Sequence, residues 1–236
     1  MPTRIDWCDE TINPLGHWCF GPGGTRKKTK LCAWCYAAAM AKRGLNGCER
    51  CKTFSTPHTH FEQLEKLAKW KKPRTVFVQS MGDLFHDEVP DGWIHTVLDA
   101  AKAAPQHRYL FLTQNPERYS SLIRKGRIHD KKVHPNWWFG TTATAPGSTF
   151  FFGERYNTFL SMEPLVQALP QRTPKVNWVI VGAESGNRAE KVIPQREWVE
   201  GIVGGCKEAG IPIFLKSNLA GIWGEPLIQE YPWEVK

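Results

Sequence analysis

The chain has 236 residues, 41% of them apolar and 23% charged, which is enough to bury a full core as one α/β domain and is unlike a disordered chain. Its longest apolar runs match one buried strand and fall far short of a membrane span, and the opening Met1-Pro2-Thr3-Arg4-Ile5-Asp6 lacks the apolar stretch of a secretory signal. A cytoplasmic chain without membrane contact is expected, and there the seven cysteines stay reduced.

The net charge is +8, carried in short runs: Arg26-Lys27-Lys28 with Lys30, then Lys69, Lys71, Lys72 and Arg74, then residues 124–132. Such a surplus suits a phosphate-bearing partner, a nucleotide or a nucleic acid. Solvated loops and helix faces account for it equally well. Tyr36, Trp137 and Trp138 are candidates for stacking on bases, with core packing as the other reading for the two tryptophans.

Residues 1–60 hold six of the seven cysteines and little apolar periodicity, so they read as a long loop with one short helix at 35–43, closed by Gly44. From residue 61 an alternation sets in. Helical periodicity at 61–70 precedes a strand at 74–80, a helix at 93–104 and a strand at 108–113. Pro116 opens a further helix. Strands at 137–141, 158–162 and 176–182 follow, then a helix at 195–209 and a strand at 211–216. The strands are unbroken runs of β-branched and aromatic residues, as in parallel strands buried on both faces. About twenty residues separate successive strands between Phe139 and Val179, too few for long crossover helices. The expectation is a single α/β domain over 1–236, with a cysteine-rich segment at 1–60 and a partial (β/α) barrel of TIM type at 61–236.

Every apolar run passes into small or polar residues at its C-terminal side. These are Ser80-Met81-Gly82-Asp83, Thr113-Gln114-Asn115, Thr141-Thr142-Ala143-Thr144, Ser161-Met162-Glu163-Pro164, Gly182-Ala183-Glu184-Ser185-Gly186 and Lys216-Ser217-Asn218. In a parallel barrel those ends share one rim, where sites are built.

The cysteines admit three groupings. Cys19, Cys32 and Cys35 can hold three irons of a [4Fe-4S] cluster and leave the fourth open; Gly21, Gly23 and Gly24 would let the twelve-residue gap fold back. Cys32 and Cys35 with Cys48 and Cys51 make a closed four-thiolate zinc pattern. Cys48 and Cys51 can instead join His58 or His60 on a separate zinc, edge a second cluster, or stay unligated as buried thiols. Cys8 and Cys206 read as packed thiols.

Several blocks in register carry a resemblance: Asn13-Pro14-Leu15-Gly16, Cys32-Ala33-Trp34-Cys35-Tyr36-Ala37, Ser80-Met81-Gly82-Asp83-Leu84-Phe85, Leu112-Thr113-Gln114-Asn115-Pro116, Ser161-Met162-Glu163-Pro164-Leu165 and Gly182-Ala183-Glu184-Ser185-Gly186. Over nearly the whole chain they resemble an uncharacterised family of phage and bacterial proteins distantly related to the radical S-adenosylmethionine superfamily. The resemblance implies a partial barrel with a first strand near residues 4–8 and a [4Fe-4S] cluster on Cys19, Cys32 and Cys35. It implies S-adenosylmethionine as cofactor, an external electron donor, and reductive cleavage to a 5′-deoxyadenosyl radical that acts on a substrate, by first guess a nucleotide or nucleic acid. Trp34 would lie against the adenine with Tyr36 beside it, Gly82 and Asp83 would receive the amino group, and Glu163, Glu184 and Ser185 would hold ribose or substrate. The contrasting expectation is a non-enzymatic zinc protein that binds nucleic acid through Cys32, Cys35, Cys48 and Cys51.

Overall fold

A computed structural model describes residues 5–16, 19–25, 27–44, 47–54, 57–169, 175–185 and 191–234. Seven strands follow chain order in a seven-stranded sheet, β1-β2-β3-β4-β5-β6-β7. The chain forms two compact units, Met1–Trp138 and Phe139–Lys236. The cysteine-rich segment therefore shares a unit with the strands that follow it. Among the described residues no helix is long and apolar enough to cross a membrane.

In the first unit, β1 (Glu10–Ile12), β2 (Thr75–Val78) and β3 (Arg108–Thr113) pair in parallel, with Thr11 opposite Phe77 and Phe77 opposite Leu110. All four residues of β2 are buried, as expected of a strand covered on both faces. The helix α3 (Asp91–Ala103) turns Ile94, Val97, Leu98 and Ala101 inward, an i, i+3, i+4, i+7 stripe that pays for its formation by burial. In α4 (Glu117–Arg124), Tyr119 is fully buried and donates its hydroxyl to the Phe111 carbonyl at 3.0 Å, so its polar tip costs little. The short α1 (Tyr36–Lys42) lies where the sequence places it, followed by Gly44 at φ +66°. A five-residue α2 (Glu65–Lys69) follows a 3-10 turn at Phe61–Leu64.

One expectation needs correction: the first strand is at Glu10–Ile12, not near residues 4–8, and Arg4 lies outside the described residues. The reason lies in long-range contacts of the residues before that strand. Trp7 turns into the core against Phe77, ring centroids 4.7 Å apart. Asp9 then fastens Thr75 twice, its N–H to the Thr75 carbonyl at 2.9 Å and its carboxylate accepting the Thr75 N–H at 2.6 Å. Ladder pairing begins only at Glu10.

The strand β4 (Trp137–Thr142) runs across the unit boundary. Trp137 and Trp138 are buried, so they are core residues and not base-stacking surfaces; Trp137 stacks on His134 with centroids 4.0 Å apart.

In the second unit, β5 (Asn157–Met162), β6 (Trp178–Val181) and β7 (Ile213–Leu215) are parallel. No helix separates β4 from β5, and none is present among the described residues between β5 and β6, as the short spacing implies. The helix α5 (Arg196–Ala209) ends at Gly210 in the left-handed region and packs Val199, Ile202, Val203 and Cys206 into a core with Leu160, Val179 and Ile213. Cys206 is thus a packed thiol, and burial pushes its pKa up to about 11, with Glu230 adding to the effect. A four-residue α6 (Ala220–Trp223) follows β7.

Gly140 in β4 has no room for a side chain, because a Cβ there would lie 2.2 Å from the Phe159 ring. Gly204 in α5 meets nothing within 4 Å. Gly140→Ala should therefore lower stability by about 1–3 kcal/mol, whereas Gly204→Ala should raise it by about 0.5–1 kcal/mol. Urea unfolding midpoints of the two variants check the opposite signs.

Candidate metal centres

The C-terminal end of β2 is held by polar groups from the segment that follows β1. Gln79, buried and at φ +67°, accepts the Leu15 N–H at 2.9 Å and returns its amide to the Leu15 carbonyl at 3.2 Å. The Asn13 side-chain oxygen takes the Met81 N–H at 2.8 Å. Buried backbone groups that leave a sheet must find such partners. The chain from Asn13 to Gly16 is thereby fixed just before Cys19.

Twelve residues separate Cys19 from Cys32, and a tight hairpin folds them back. The Lys30 N–H bonds the Phe20 carbonyl at 2.7 Å, and Thr25 and Lys28 exchange two backbone bonds at 3.0 and 3.1 Å. Only glycine fits inside the hairpin: a Cβ on Gly21, which sits at φ +76°, would lie 1.8 Å from the Lys30 carbonyl oxygen, and one on Gly24 the same distance from that of Phe20. Cys35 then serves as the N-cap of α1, its Sγ accepting the Ala38 N–H at 3.4 Å. Cys32 Sγ lies 3.6 Å from the Gln114 side-chain amide at the end of β3.

The three thiols sense one another. Burial pushes the Cys19 pKa up to about 12, with the Asp83 carboxylate next and smaller upward contributions from Cys35 and Cys32; the Gly21 N–H works against them. Burial likewise raises Cys35, aided by Cys32 and opposed by the Ala38 and Ala37 N–H groups. Cys19 and Cys35 both pack against the apolar cluster of Ala37, Ala38, Ala41, Phe54 and Met81.

The other residues singled out by sequence occupy varied settings. Trp34 is half-buried, and Tyr36 is exposed with its hydroxyl donated to the Ser80 carbonyl. Gly82 leads into Asp83, whose carboxylate is already engaged. It accepts the Thr113 hydroxyl at 2.8 and 2.9 Å, the Gln114 N–H at 3.0 Å and the Phe85 N–H at 2.9 Å. Asp83 thus ties the end of β2 to the end of β3. Burial outweighs these bonds and raises its pKa. In the second unit Glu163 pairs with Lys216 across Gly182, where a Cβ would come within 2.8 Å of the lysine chain. Glu184 is buried, Ser185 is exposed, and Gly186 lies outside the described residues. Gln114 and Asn13 are the partners that sequence reasoning missed. Their only signal was position, each beside a strand end.

A second group lies in the first unit. The donor atoms of Cys48, Cys51, His58 and His60 all lie within 4.8 Å of one another, a set able to hold a metal ion. Cys48 Sγ is 3.9 Å from Cys51 Sγ and 3.3 Å from His58 Nε2; Cys51 Sγ is 3.3 Å from His58 Nε2 and 3.4 Å from His60 Nε2. Cys48 and Cys51 therefore close on two histidines, and the four-thiolate set with Cys32 and Cys35 is not the one assembled. The slight burial of Cys48 works upward but is outweighed by the Cys51 and Arg50 N–H groups, the Cys51 side chain and the Arg50 charge, so its pKa is lowered.

These shifts predict opposite alkylation behaviour in metal-free protein. Cys48 should react first, with a rate that levels off below pH 9.0, the ordinary thiol value. Cys19 has its pKa near 12, so at pH 8 only about one thiol in 10⁴ is thiolate, and its rate should keep rising about tenfold per pH unit to about 12. Iodoacetamide labelling across pH with peptide mass mapping reads both; equal rates for the two cysteines would contradict the electrostatics.

No curated protein matches the chain, and no solved structure does. A family model does, over residues 2–230, nearly the full length. The chain belongs to the family described as "Protein of unknown function (DUF5131)".

Proposed function

We propose that this chain is a radical S-adenosylmethionine enzyme whose [4Fe-4S] cluster is held by Cys19, Cys32 and Cys35. The observation that supports the proposal is the glycine hairpin, which folds the chain between Cys19 and Cys32 back on itself, with Cys19 within electrostatic reach of Cys35 and Cys32. Three thiols in one neighbourhood suit a cluster that keeps one iron free of protein. When bound, such a cluster with an external donor supplies one-electron reductive cleavage of S-adenosylmethionine.

The chain's own residues do the positioning. Gln114 sits against the Cys32 sulfur, and the Cys35 sulfur accepts the Ala38 N–H at the start of α1. Asp83 braces the ends of β2 and β3 near Cys19, and Trp34 and Tyr36 flank Cys35 in the sequence. The partial-barrel form of the fold belongs to the same proposal, as do Glu163, Glu184 and Ser185 as ribose or substrate contacts. A nucleotide or nucleic-acid substrate is favoured by the basic runs: Lys27, Lys28 and Lys30, beside the hairpin, are exposed.

Anaerobically purified protein should be brown, with iron, sulfide and absorbance at about 400 nm, and should cleave S-adenosylmethionine under dithionite. Cys32→Ala should lose the iron and the cleavage together. A colourless wild-type protein containing zinc alone would instead favour the nucleic-acid-binding reading, and iron retained in Cys32→Ala would remove Cys32 from the ligand set.

A further inference from the structure

We propose that Cys48, Cys51, His58 and His60 hold a closed structural zinc ion that fastens the cysteine-bearing segment to the sheet. A tetrahedral zinc with bonds of about 2.3 Å to sulfur and about 2.0 Å to nitrogen separates two sulfurs by about 3.8 Å and sulfur from nitrogen by about 3.5 Å. The spacings here, 3.9 Å between sulfurs and 3.3 to 3.4 Å from sulfur to nitrogen, match those edges to a few tenths of an ångström. Two thiolates and two imidazoles fill the shell. No position is left for water or substrate, which marks the site as structural.

The surroundings are built for the same purpose. His60 points Nε2 into the group and turns Nδ1 to the Glu62 carboxylate at 3.0 Å, the outer contact that fixes a ligating imidazole. Cys51 and His58 are 2% and 5% exposed, so the ion would be screened from water on that side. The His58 ring lies flat against Gly16, where a Cβ would come within 2.1 Å of it.

Two lengths of chain meet at this point. The backbone around His58 pairs with the approach to Cys19: Gly16 N–H to the His58 carbonyl at 2.8 Å, His60 N–H to that of Pro14 at 2.7 Å, and a bridge between Leu15 and Thr59. On the other side, the 3-10 turn Glu49–Thr53 carries Cys51 and leads to Phe54, which packs with Ala37, Ala38 and Ala41 of α1. A metal joining Cys48 and Cys51 to His58 and His60 therefore closes a loop that contacts the approach to Cys19 at one end and, through Phe54, α1 at the other. The binding group stands on its own geometry; only its service to a cluster rests on the function proposed above.

Zinc, iron and sulfide measured on the same full-length preparations keep the two apart. Wild type should carry one zinc per chain whether or not it carries iron, and Cys32→Ala should keep it. Cobalt(II) in its place should give the intense visible bands of a tetrahedral thiolate site. Glu62→Gln, which leaves all four ligands, should weaken zinc affinity by about 10–100-fold against a competing chelator, and Cys51→Ser should abolish retention. Chelation should speed tryptic cleavage between Lys27 and Arg43. Wild type without zinc, or zinc undiminished in Cys51→Ser, overturns the site; unchanged cleavage after chelation overturns its fastening role. Iron without zinc refutes this inference alone, and zinc without iron refutes the cluster alone.

Discussion

The backbone bond from Lys30 to Phe20 is the constraint on which the candidate chemistry depends. It forms only because Gly21 and Gly24 present no side chain where the two strands of the hairpin nearly touch. Without it, Cys19 would stand at the far end of a long excursion from Cys32 and Cys35. With it, the intervening chain folds back on itself, and Lys27, Lys28 and Lys30 are carried outward on its exposed limb.

Polar side chains do comparable work at the sheet margin. Parallel strands end abruptly and leave carbonyls and N–H groups to be satisfied. Gln79, Asn13 and Asp83 meet that demand with side-chain bonds of 2.8 to 3.2 Å to neighbouring backbone. The conspicuous polar residues after each strand are thus partly structural, and Asp83 is the clearest case. Its carboxylate joins two strand ends before any ligand enters, which narrows what it can offer a cofactor's amino group.

The strands were legible in the sequence because burial on both faces leaves unbroken apolar runs, and β3 begins and ends where its residues predict. The helices were legible through their glycine and proline punctuation, as at Gly44, Pro116 and Gly210. The first strand was not, since three residues give no periodicity and its position is set by Trp7 and Asp9 contacting partners nearly seventy positions on. Trp137 and Trp138 were ambiguous because an indole suits a core and a stacking surface alike. The partners of Cys48 and Cys51 stayed open for a similar reason: a Cys-x-x-Cys pair states two ligands and is silent about the others. The antiparallel pairing of Leu15 with Thr59, between His58 and His60, is a long-range contact that local pattern does not encode.

The contact of the His58 ring on Gly16 has a mutational corollary. Any side chain at position 16 displaces an imidazole, and any loss of that imidazole opens space at position 16. The two positions share one volume, so substitutions at them should be non-additive.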